Sequence, residues 1–167
     1  MAELSTVATN TALTAWGSAS NFLVVLVLLG VLFVFAQYVG RGPFVALLLA
    51  FYAAYAVYAF FPYIQPLSAA PSTASLATHL ALYAALTFAF FMILRRVIVS
   101  DFLYISNIGL IVLSFLGAAF LLALGYHVFS IASAYHFTPA VAALFAPGKY
   151  FFWWFSAPAI GLFFFAR

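Results

Sequence analysis

The sequence predicts an all-α fold: a polytopic integral membrane helical bundle of four to five transmembrane helices, built on two hairpins. Three observations carry this reading. The chain is 69% hydrophobic and only 4% charged over 167 residues, whereas an average soluble domain is about 45–50% apolar and about 25% charged. Its apolar residues form runs long enough to cross a bilayer. Its basic residues, Arg41, Arg95, Arg96, Lys149 and Arg167, lie singly or paired at the ends of those runs. Five basic and two acidic side chains cannot cover the surface of a soluble fold this size, so the solvent is largely lipid. The length fits a single membrane domain, residues 1–167.

Residues 1–20 are mixed and small. Leu4, Val7, Ala8, Ala12 and Trp16 fall near one helical face, which predicts an interfacial N-terminal segment with Trp16 at headgroup level. The segment lacks the basic start of a secretory signal, and no small-x-small cleavage pattern follows the first apolar run. That run therefore reads as a retained helix.

The first hairpin covers residues 21–61. Its first helix, from Asn21 to Val39, would measure about 28 Å, close to the ~30 Å hydrocarbon core. Gly40 reads as the glycine just past the helix end. Pro43 suits the first turn of the next helix, where its missing N–H leaves no bond unmade. The second helix extends to about Phe61. Ala46, Ala50 and Ala54 repeat every four residues and make a helix-packing row. Tyr52, Tyr55 and Tyr58 occupy another sector, at mid-depth and outward. They read either as a polar cavity lining or as hydroxyls that bond a neighbouring helix or interfacial group.

The uncharged, proline- and serine-rich loop from Pro62 to Ser75 leads to the second hairpin, residues 76–124. Ser72, Thr73 or Ser75 is expected to cap its first helix. That helix should run from Leu76 to Leu94, stopped by Arg95-Arg96. The next should start near Ser100-Asp101, with Ser100 as N-cap and Asp101 facing the positive end of the helix dipole. It continues to about Leu124. Gly109, Gly117 and Gly125 recur along it with Ala118, which predicts a small-residue seam against another helix.

Residues 125–149 read as two short pieces, Tyr126–Phe137 and Thr138–Ala146, in an interfacial or re-entrant region. Non-helical backbone at membrane depth requires protein or water around it. Residues 150–166 form a short C-terminal apolar helix, kinked at Pro158. Tyr150, Trp153 and Trp154 supply an aromatic belt beside Lys149.

Charge orients the whole. Arg41, Arg95, Arg96 and Arg167 are topology anchors that five spans place on one side, with Lys149 on the other. Positive-inside bias makes the first side cytoplasmic and puts the N-terminus outside. The expected location is the cell (plasma or inner) membrane.

Few residues offer chemistry. His79, His127 and His136 all map near the outer interface, but His127 and His136 would fall half a turn apart on one straight helix. They read as interfacial side chains rather than metal ligands. Asp101 with Arg95 and Arg96 reads as an anchor and helix cap. Asn107, expected two turns into its helix beside Ser106, and Gln37 join Tyr52, Tyr55 and Tyr58 as a candidate polar interior.

No metalloprotease motif, nucleophile elbow, paired carboxylates or phosphate loop is present. No ionisable residue falls at the predicted centre of a span. The expectation is a non-enzymatic protein without a cofactor or metal: a structural or accessory subunit acting through helix contacts. The alternative is a permeation component for a small neutral or weakly polar solute, lined by Tyr52, Tyr55, Tyr58 and Asn107. The basic residues are too dispersed for nucleic acid. The expected partners are the lipid bilayer and either another membrane protein or a second copy of the chain.

Overall fold

A computed structural model describes residues 23–62, 72–98, 105–129, 131 and 139–165. The described residues form an all-α bundle with no strand. The helices are α1 (Leu23–Tyr38), α2 (Arg41–Ala59), α3 (Ser72–Val97), α4 (Asn107–His127), α5 (Pro139–Phe145) and α6 (Gly148–Phe165). By length and composition, α2, α3 and α4 can each cross a membrane, while α1 is apolar but shorter over its described residues. The interfacial segment 1–20, Asp101, His136 and Arg167 lie outside the described residues.

The turn between α1 and α2 depends on Gly40. Its φ of 110° and ψ of 164° lie in a region essentially open only to glycine. Gly40 is thus the N-cap of α2 rather than a left-handed cap of α1. Its carbonyl accepts the first α2 bond, from Phe44 N–H at 3.1 Å. Pro43 sits in that first turn, where an N–H has no partner within the helix.

Three boundaries differ from those expected. α3 begins at Ser72 rather than Leu76, so Thr73 and Ser75 lie within it instead of capping it. α3 runs on through Arg95 and Arg96, which occupy its last turn. Cations there complement the negative end of the helix dipole, so the arginine pair belongs to the helix instead of stopping it. α4 begins at Asn107, not near Ser100. Ser106, in extended conformation, is the N-cap, and its hydroxyl accepts from Gly109 N–H at 3.1 Å. Asn107 is therefore a first-turn residue, not one two turns deep.

Two helix pairs run antiparallel. Contacts of Tyr58 with His79 and of Phe51 with Tyr83 set α3 antiparallel to α2. Gly117 faces Leu32, and Val24 shares a groove with Leu122 and Gly125, which sets α1 antiparallel to α4. Among α2 to α6, the most extensive backbone packing joins α2 to α3 and α4 to α6. One core unites them, including Leu32 and Ala36 of α1, Phe44 and Leu48 of α2, and Leu110 and Leu113 of α4.

α4 is the centre of the bundle and α3 its periphery. Buried residues make up 67% of the apolar window of α4 but 17% of that of α3. The glycines of α4 explain how it accepts neighbours on several sides. A Cβ at Gly109 would lie 3.1 Å from Phe165 Cδ1. One at Gly117 would lie 2.9 Å from Leu48 Cδ2 and 3.1 Å from Leu32 Cδ1. One at Gly125 would face Ile131 at 3.5 Å. The expected single seam is thus corrected. An eight-residue step turns a helix by about 80° beyond two full turns, so successive glycines face different partners.

Candidate functional site

The tyrosine sector of α2 is the densest polar feature inside the bundle. Tyr52 faces α6. Its ring packs on Phe120 and Phe155, with centroid distances of 4.8 and 5.1 Å. Its hydroxyl donates to the carbonyl of Phe155 at 2.5 Å and accepts from the N–H of Ala159 at 3.2 Å. In an unbroken α-helix the N–H of residue 159 would bond the carbonyl of residue 155. The Tyr52 hydroxyl bridges these two groups.

Pro158 explains why the bridge forms there. It sits inside α6, where proline lacks an N–H and crowds the carbonyl one turn back, opening the ladder. Pro158 is fully buried.

Tyr58 faces α3. It is 4% exposed, and its hydroxyl lies 2.8 Å from Nδ1 of His79. Tyr83 of α3, also buried, donates from its hydroxyl to the carbonyl of Phe51 at 3.0 Å. A carbonyl has two lone pairs, so Phe51 can accept this bond beside its helical one. The Tyr58, Tyr83 and Phe129 rings meet edge-on at 5.2–6.1 Å. Tyr55 is half-buried, with its ring against Phe155 at 5.2 Å.

The Ala46, Ala50 and Ala54 row is fully buried, each residue at 0% exposure. Gln37 and Asn107 are both exposed. Asn107 Oδ1 accepts from Arg41 Nη2 at 3.1 Å, which ties the start of α4 to the start of α2. The proposed grouping of Gln37 and Asn107 with the tyrosines in one interior is therefore not what the structure places together: Tyr52 and Tyr58 belong to the core, and Asn107 to one end.

That end collects charge. Arg41 opens α2, Asn107 binds it, and antiparallel α3 brings Arg95 and Arg96 to the same end. The ring of Phe165, the last residue of α6, packs beside Gly109 there. Lys149, the second residue of α6, lies at the opposite end, with Nζ 4.8 Å from the Tyr150 ring.

Near the Lys149 end, α5 is fastened through its C-terminal carbonyls, which have no partner within the helix. His127 Nε2 donates to Phe145 O at 2.9 Å, and Trp154 Nε1–H donates to Leu144 O at 3.0 Å. The sequence offered no sign of this clip or of the role of Tyr83. The Tyr52 bridge had a partial signal, a proline within an apolar run.

The bundle walls contain open apolar grooves. One of about 660 Å³ lies between α4, α5 and α6, lined by Leu116, Leu144, Trp153, Ile160 and Phe164 among others. Two more, of about 460 and 550 Å³, share Leu80, Tyr83 and Leu121.

The chain matches no protein-family model, no curated protein and no solved structure.

Proposed function

We propose that this is a multi-pass integral membrane protein that works through helix contacts, as a non-enzymatic structural or accessory subunit of the cell membrane or as a self-associating bundle. The observation that carries this reading is where three interior tyrosine hydroxyls go. Tyr52, Tyr58 and Tyr83 each bond a group of this same chain. Between helices in lipid, association rests on packing and interhelical hydrogen bonds instead of hydrophobic burial. The alanine row and the glycines of α4 serve the packing, and the tyrosines supply the bonds. The outer face of α3, with Phe88, Met92 and Ile93 exposed, is left for lipid or another helix. The common end of Arg41, Arg95 and Arg96 is cytoplasmic by the positive-inside bias.

Thiol scanning along α2 tests this reading, because the chain has no cysteine of its own. Single cysteines from position 46 to position 58, challenged with a water-soluble maleimide in membrane vesicles, should be protected through the middle of the helix. A reactive stripe running through positions 52, 55 and 58 would replace this reading with a solute pathway.

A further inference from the structure

We infer that the Tyr52 hydroxyl and the interrupted ladder of α6 form a hinge, whose setting controls the shape of the groove on the far side of α6. With the hydroxyl inserted, it donates to Phe155 O and accepts from Ala159 N–H, the two groups that bond each other in an unbroken helix. With the hydroxyl withdrawn, Ala159 N–H can bond Phe155 O directly. The two settings differ by one hydrogen bond, so each satisfies both backbone groups and neither needs the helix to unfold.

The position of the wedge gives it leverage. Phe155 and Ala159 are one turn apart on one face of α6. The groove residues Trp153, Ala157, Ile160 and Phe164 lie on the opposite face at about 100° per residue. Opening the ladder on one face bends a helix toward the other, and here the other face is the wall of the 660 Å³ groove. The segment beyond the hinge, Ala159–Phe165, carries Ile160, Gly161, Phe164 and Phe165 of that wall. Its packing on α4 is close at Gly161, where a Cβ would lie 2.7 Å from Leu116 Cδ1. Leu116 also lines the groove, so a swing of this segment is transmitted directly to the opposite wall. α2 thereby communicates with a surface that it does not touch.

The test uses spin labels on L144C and F164C, one on each side of the hinge, in the full chain reconstituted in lipid nanodiscs. Y52F keeps the ring against Phe120 and Phe155 but removes the wedge. P158A restores an N–H to the ladder and favours the closed setting from the other side. Both variants are expected to shift the inter-label distance away from that of the parent, and to the same new value. The double variant Y52F/P158A should share that value, and it supplies the reading if Y52F alone fails to fold. A parent-like distance in Y52F, or in the double variant, would overturn the hinge. So would different shifted distances in Y52F and P158A.

Discussion

The hydroxyl of Tyr58 and Nδ1 of His79 stand 2.8 Å apart, joining the end of α2 to the first turns of α3 inside a cluster of aromatic rings. Tyr58→Phe keeps the ring and deletes the bond, so it should lower stability by about 0.6–1.5 kcal/mol. His79→Ala also removes ring contact and strands the Tyr58 hydroxyl, at a cost of about 1–3 kcal/mol. Thermal unfolding in mild detergent measures both, and equal midpoints for parent and variants would show that the bond adds nothing.

The glycines divide into two groups with opposite expectations. Gly30 of α1 has nothing within 4 Å of an added Cβ, so Gly30→Ala should stabilise the protein by up to about 1 kcal/mol through helix propensity. Gly117→Val forces bulk against Leu48 and Leu32 and should destabilise by about 1–3 kcal/mol. The ordering of the two melting midpoints around the parent's is the measurement, and a reversed order would contradict the packing described for α4.

Ser106→Ala should cost about 1 kcal/mol, the usual loss when an N-cap hydroxyl is removed. Faster amide hydrogen exchange at Gly109, the residue that donates to that hydroxyl, would localise the effect. No change at Gly109 would place the start of α4 elsewhere.

The charge distribution predicts sidedness. A membrane-impermeant maleimide added outside intact cells should label Lys149→Cys and leave Arg96→Cys and Gln37→Cys unlabelled until the membrane is opened. The converse pattern would invert the orientation drawn from the positive-inside bias.

The clip on α5 makes a further prediction. His127→Ala and Trp154→Phe each free one terminal carbonyl of a seven-residue helix, too short to persist without its surroundings. The double variant should raise hydrogen exchange across residues 141–145 while leaving α2 protected. Uniform protection in the double variant would show that α5 is held by packing alone.

The all-α class was legible because a composition this apolar falls into long helical runs, and no local detail was needed to see it. The four-residue spacing of Ala46, Ala50 and Ala54 was visible as well, and all three are buried. Helix pairing could not. Helices that are apolar all round carry little record of which face meets which neighbour, so nothing in the sequence assigned α3 to α2 or α6 to α4. The start of α4 was misplaced because Ser100 looks as good a cap by residue type as Ser106, and only the extended backbone of Ser106 marks it as the N-cap. The tyrosine sector was visible, but the destination of each hydroxyl was not. Tyr52 bonds Phe155 and Ala159, more than a hundred positions away, and that pairing depends on which helix stands at the same depth. Asn107 looked interior only because its helix was started too early.

The central place of α4 bears on how the chain is assembled. Its neighbours on one side, α1 and α2, are made before it, whereas α6 is made after it. Until α6 docks, the face containing Gly109, Leu113 and Leu116 lacks the partner that fits it. In a bilayer that bare face is not short of apolar surroundings; it is short of matched shape. A chain that stops before Gly148 would thus differ from one that includes α6 by loose fit around α4 rather than by hydrophobicity.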